Sequence, residues 1–214
     1  MNKIIIPAYR DSRGLPIEGG ELLHSALTCI PEGLRSDTIV LCDNSEIEAQ
    51  AGLYGAGAHR VSNVSEDKGK GLREEIWGIC GHLWEDQVIV VLYPTFDGRK
   101  WSDVQKAWFK WRRSRGIQSL LCRREVKTHP WDCMVNVDQN GQGEQLVGLF
   151  TGIDHDLDGW REYPTVWEVS HFIAMFKVGE LRCLNRRLCN SNTVFFDLEE
   201  KMEADELQLP CKGL

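Results

Sequence analysis

Nowhere does this 214-residue sequence hold a run approaching the ~20 apolar residues that cross a bilayer as a helix. The apolar start Ile4, Ile5, Ile6 is too short for a signal-peptide core, and Pro7 and Arg10 interrupt it. The expectation is a cytoplasmic chain with no membrane partner. Positive charge is not in excess either: 32 acidic residues against 25 basic ones give a formal net charge of -7. That argues against a protein that coats nucleic acid, because such affinity comes from neutralised phosphates, but it leaves room for a local basic pocket that holds a small anion. No CxxC pair occurs, and the eight cysteines are scattered without regular spacing. Cys42 and Cys122 fall inside apolar runs, where a free thiol behaves as a small hydrophobe, so reduced core cysteines are expected rather than zinc ligands or disulfides. Internal repeats and low-complexity linkers are lacking as well. With 42% hydrophobic and 27% charged residues the composition is ordinary for a globular chain, and one domain over residues 1–214 is expected.

What is present is alternation. Short β-branched runs at residues 3–8, 38–42, 87–92 and 117–122 read as buried strands. Residues 21–30, 45–54, 71–83 and 101–115 read as the helices between them, the pattern of βαβ units and a mostly parallel sheet. Asn44 or Ser45 can cap the second helix, Glu46 and Glu48 suit its positive end, and Gly55 can close it. After Arg123 the pattern changes: apolar runs flank Asn140-Gly141, a strong hairpin turn signal, which predicts a β-excursion over about residues 135–149. Residues 171–178 read as a further strand, 179–184 as a short helix, 194–196 as a last strand and 198–207 as a last helix. The fold class is α/β.

In open α/β sheets a ligand lies outside the carboxyl ends of the strands. That rule selects residues 9–16, Asp43-Asn44 and residues 93–100. The first of these, Tyr9-Arg10-Asp11-Ser12-Arg13-Gly14-Leu15-Pro16, combines two guanidiniums, a hydroxyl and a glycine directly after a buried strand. Such a loop can offer backbone N–H groups and fork-shaped donors to a phosphate, or can serve as a polar surface turn. It is not a Walker A loop, since no GKS or GKT follows.

Ile5-Ile6-Pro7-Ala8 followed by Ser12-Arg13-Gly14-Leu15-Pro16 resembles the opening motif of the CMP-sugar synthetases, the cytidylyltransferases acting on sialic acid, Kdo and related ulosonic acids. The resemblance continues in order. Residues 38–43, Glu46-Ile47 and Leu53-Tyr54-Gly55-Ala56 with Arg60 are similar to the family's second strand, its helix and the segment after it. Val91-Leu92-Tyr93-Pro94-Thr95 with Arg99 resembles its Pro-Thr segment, and His129-Pro130-Trp131 falls at its His-Pro-aromatic step. Val194-Phe195-Phe196-Asp197 resembles its terminal acidic motif.

The resemblance implies a Rossmann-like nucleotidyltransferase fold, homodimerisation through the β-excursion, and transfer of CMP from CTP to a sugar acid with release of pyrophosphate. It places Ala8, Ser12, Arg13, Gly14 and Arg60 on the nucleotide, with Arg13 and Arg10 as the catalytic cations. Thr95, Arg99 and His129 then face the sugar acid, and Asp197 holds Mg²⁺. The departures point to a second reading, a degenerate binding or scaffold protein: Glu18 and Gly19 stand where the family has a Lys-Asn pair for the triphosphate. Tyr93 replaces a glutamine, Phe96-Asp97 replace Ser-Pro, and Phe195 replaces one aspartate. Ser170-His171 stand where the family has Asn-Gly. A nucleotidyltransferase for another base is the third reading.

Three further features carry alternatives. Asp154-His155-Asp156-Leu157-Asp158-Gly159 matches the first half of a calcium loop, yet position twelve is Thr165 and no flanking helices are evident, which favours an acidic surface loop. Trp101, Val104, Trp108 and Trp111 recur at helical spacing before a cluster of cations, and read as core or dimer contacts rather than as a membrane- or RNA-binding face. His129 has the chemistry of an acid or base, with an unperturbed pKa of about 6.5, but beside Pro130 and Trp131 it also reads as packing or substrate contact.

Overall fold

The computed structural model describes residues 3–9, 20–61, 71–126, 134–138, 144–148, 166–199, 202 and 207. The central strand is β1 (Lys3–Pro7), in which Ile4, Ile5 and Ile6 are at most 1% exposed. A run buried on both faces belongs inside a parallel sheet covered by helices. β1 pairs in parallel with β2 (Thr38–Cys42), Ile4 lying opposite Thr38. Beyond β2 lies the parallel edge strand β3 (Gly57–Arg60). On its other side β1 pairs in parallel with β4 (Val88–Val91), which is buried along its length. The seven-stranded order is β3-β2-β1-β4-β8-β5-β9, with β5 at Ser119–Glu125, β8 at Trp167–Lys177 and β9 at Val194–Asp197.

β8 runs antiparallel to β4 and also to β5, for Lys177 N–H donates to Gln118 O while the Cys122 thiol reaches Ile173 O. β9 is parallel to β5. The carboxyl ends of every strand but β8 therefore share one edge with the amino-terminal half of β8.

The helices are α1 (Gly20–Thr28), α2 (Glu32–Arg35), α3 (Ser45–Leu53), α4 (Leu72–Cys80) and α5 (Trp101–Arg113). Parallel strands need such crossovers. α3 starts where Asn44 Oδ1 accepts from the amides of Glu46 at 3.1 Å and Ile47 at 3.0 Å. It stops at Gly55, whose φ of 74° is the left-handed conformation that ends helices and that glycine adopts without steric penalty. On α5, Val104 and Trp111 are buried, and Trp108 stacks on Trp111 at 6.4 Å, which is the core role expected for this stripe.

Cys42, Cys80 and Cys122 are buried free thiols, and burial pushes Cys80 to about 11 and Cys122 to about 12, leaving them protonated and inert at neutral pH. Cys133 and Cys211 lie outside the described residues. Among the described residues no helix is long and apolar enough to cross a membrane.

The chain divides into two compact units, one of Met1–Arg123 with Val169–Leu214, the other of Arg124–Glu168. The second contains an antiparallel hairpin of β6 (Met134–Asp138) and β7 (Glu144–Gly148), where the excursion was expected. The strand expected at 171–178 is the longer β8, and β3 had no sequence signal because all four of its residues are exposed. The helix at 179–184 is a 3-10 segment, Val178–Arg182. Of the expected last helix only Leu198, Glu199, Met202 and Leu207 are among the described residues.

Replacing Asn44 by Ala removes both cap bonds and is expected to lower stability by about 1 kcal/mol in urea denaturation, with Asn44→Asp close to wild type.

Candidate functional site

The chain leaves β1 towards β2 and β3, but β4 lies on the opposite side of β1. Such a reversal of strand order opens a crevice between two strand ends, the usual ligand position in open α/β sheets. One wall is Ala8 and Tyr9, both buried, with the Ala8 amide donating to Leu41 O at 2.9 Å. The other begins at Leu92, whose amide donates to Ile5 O at 2.9 Å. Main-chain bonds thus hold both walls up to the rim. The crossover helices run back against the strands, so α1, α3 and α5 begin at this edge and direct the positive ends of their dipoles towards it. Ser25 Oγ of α1 donates to Asp97 O at 3.2 Å, tying that helix to the loop after β4.

Of the residues selected by sequence, Ala8 lies at the crevice and Arg60 is exposed at the end of β3. Arg10, Ser12, Arg13, Gly14 and His129, like Asp154, Asp156 and Asp158, lie outside the described residues. Thr95 is fully buried, and its carbonyl accepts from Leu207 N–H at 2.9 Å. Arg99 is only 3% exposed. Its guanidinium donates to Phe172 O at 2.8 Å and to Tyr93 O at 2.9 Å and lies over the Phe172 ring. Burial pulls its pKa below the usual value, yet an arginine stays charged in a protein.

Asp197, at the end of β9, lies directly opposite Arg123 in the ladder. Arg123 Nε donates to Asp197 Oδ1 at 2.5 Å, and the same guanidinium lies 5.9 Å from the centre of the Phe195 ring. No cluster of three or more metal-binding side chains exists among the described residues. This donor set does not fit a metal caged by protein. It does fit an ion carried in by phosphates, since Mg²⁺ commonly takes one or two carboxylates alongside phosphate oxygens and water.

Sequence reasoning missed the importance of His171, whose ring sits edge-on to Tyr93 at 5.9 Å and whose Nε2 bonds to Arg187 O at 2.9 Å. The carbonyl only accepts, so Nε2 carries the proton. The bonded turn is unusual: Asn185 Oδ1 accepts from the amides of Arg187 and Cys189, and Leu188 is held at φ 58°. A non-glycine residue there stores strain of about 1 kcal/mol. Arg186 and Arg187 are exposed on this turn. No local signal announces these contacts, because the Tyr93–His171 pair joins positions 78 residues apart (171 minus 93).

The sheet order and crossover helices define a Rossmann-like α/β fold. Among solved structures the chain is similar to CMP:2-keto-3-deoxy-manno-octonic acid synthetase complexed with CTP, with TM-score 0.57, 14% identity, and coverage of 92% of this chain and 89% of that one. It is also similar to a 4-diphosphocytidyl-2C-methyl-D-erythritol synthase, with TM-score 0.57, 13% identity, and coverage of 98% and 94%. The enzyme of that name from Anaerococcus prevotii gives TM-score 0.55 at 10% identity, over 97% of this chain and 92% of that one. By sequence the chain matches no protein-family model and no curated protein.

Glu75, in the first turn of α4, is lifted by burial from 4.5 to about 7. Between those values the unfolded chain has lost this proton while the folded chain keeps it, so this contribution to stability is present below 4.5 and is lost as pH rises to about 7. Urea midpoints at pH 5 and pH 8 are expected to differ less for Glu75→Gln than for wild type; equal differences would refute this reading.

Proposed function

We propose that this protein is a cytidylyltransferase that transfers CMP from CTP to a ulosonic sugar acid, sialic-acid-like or Kdo-like, and releases pyrophosphate. The observation that carries the reading is the reversal of strand order between β1 and β4, with the Ser12-Arg13-Gly14 motif following β1 in the sequence. The shared fold with a CTP-bound sugar-acid synthetase supports it.

In the proposed reaction the anomeric hydroxyl oxygen bonds to the α-phosphorus of CTP as the bond to pyrophosphate breaks. Such phosphoryl chemistry depends on positioning and charge neutralisation more than on covalent participation by the protein. Ala8, Ser12 and Gly14 cradle the nucleotide, and Arg60 adds an exposed cation beside it. Arg13 and Arg10 take the charge on the triphosphate, in place of the cation lost at Glu18. Thr95, Arg99 and His129 belong to the acceptor side. Mg²⁺, held by Asp197 and the phosphates, would supply further charge neutralisation. We also place the protein in the cytoplasm as a homodimer joined through the β6–β7 hairpin.

A second reading, a binding protein that keeps the fold without catalysis, is favoured by the Arg123–Asp197 ion pair, which engages the metal carboxylate. Pyrophosphate release with CTP, Mg²⁺ and a panel of sialic, legionaminic, pseudaminic and Kdo-type acids tests the enzyme, and release with at least one acid is expected. No release with any of them, together with no heat of CTP binding at millimolar concentration, supports the binding protein. Heat with UTP, GTP or ATP but not CTP points to a different nucleotide.

A further inference from the structure

We propose that Arg99 is the positioning residue of the acceptor half of the site, an inference that rests on the cytidylyltransferase reading. The β4–β8 ladder is paired up to Val91 opposite Ala174. Continuing that register by two places sets Tyr93 opposite Phe172, and these two residues supply the carbonyls that accept from Arg99. The side chain takes over where backbone pairing stops. It binds the loop after β4 to β8 through two nitrogens of one rigid fork.

Its surroundings make it a clamp and not a ligand. At 3% exposure the guanidinium cannot meet a substrate without dismantling the edge. Phe172 lies beneath it at 5.8 Å and Phe96 packs edge-on against Phe172 at 5.7 Å, so the loop after β4 is held by ring contacts as well. Asp103 of α5 and the Cys29 and Cys122 thiols supply the polar surroundings. Asp103 also accepts from the amide of Lys100 at 3.0 Å, which fixes the N-cap of α5 one residue beyond Arg99.

Both anchored carbonyls lead to the rim. Tyr93 is two residues before Thr95 and carries the ring that meets His171. Phe172 follows His171, which in turn holds the turn bearing Arg186 and Arg187 through Arg187 O. One guanidinium therefore sets the spacing between the Thr95 loop and the arginine turn, the two segments that an acidic acceptor would meet. The nucleotide wall is held separately, by the main-chain bond from Ala8 to Leu41 of β2. A lysine keeps the charge, but its single ammonium lacks the planar fork that spans two carbonyls.

The test uses Arg99→Lys in the full chain, with His171→Ala as a second variant that cuts the tie beyond the clamp and leaves the arginine in place. In Arg99→Lys, hydrogen exchange at amides 96–99 and 172 is expected to speed up by roughly tenfold, with β2 and α3 unchanged, as for loss of one charge-assisted bond. In pyrophosphate release both variants are expected to raise acceptor KM by roughly tenfold, with the calorimetric Kd for CTP within about twofold of wild type. Equal losses for CTP and acceptor, exchange changes spread through the sheet, or failure of Arg99→Lys to fold beside a normal His171→Ala would make Arg99 an ordinary core residue and overturn the proposal. If wild type releases no pyrophosphate, the cytidylyltransferase reading fails, while the exchange data still decide whether the clamp exists.

Discussion

The parallel pairing of β1 with β2 and with β4 is the constraint on which the rest depends. Ile4, Ile5 and Ile6 against Val40, Leu41 and Val88–Val91 form a layer buried on both faces. A layer of that kind must be covered by helices, and parallel pairing forces each connection to cross over from one end of the sheet to the other. Connections leaving the carboxyl ends then collect on one edge. The order β3-β2-β1-β4 places the reversal between β1 and β4, so the crevice follows from how the core is buried.

At that edge two of the charges are already committed. Arg99 is spent on main-chain carbonyls inside the protein, and Arg123 neutralises Asp197. The second pairing is shallow, with side chains 32% and 51% exposed, and ion pairs of that exposure contribute about 0–1 kcal/mol. That pair can therefore open at small cost. Buried Arg99 has no such freedom, because withdrawing it strands two carbonyls away from water.

The fold was largely legible in the sequence because its strands are continuous apolar runs and its helices carry local punctuation such as Asn44 and Gly55. β3 was not, since Gly57-Ala58-His59-Arg60 is short, exposed and without hydrophobic alternation; only pairing with β2 makes it a strand. Of the candidate site, Ala8 and Arg60 came from the family resemblance, and only Ala8 ends a strand that the order of elements predicts. The contacts of Arg99, the Arg123–Asp197 pair and the His171 turn did not. Apart from the bond from Arg99 to Tyr93, six positions away, each joins residues more than ten positions apart in the chain, and residue type alone does not distinguish an arginine that binds substrate from one that holds two strands together.

The central claim, that the β1/β4 crevice is the nucleotide site, is tested most directly by following backbone amide resonances while CTP and Mg²⁺ are added. The account predicts that the shifts concentrate at Ala8, Tyr9, Arg60 and the amino-terminal turn of α1. Saturable shifts confined to another face, such as the exposed side of α5 around Phe109, would contradict it.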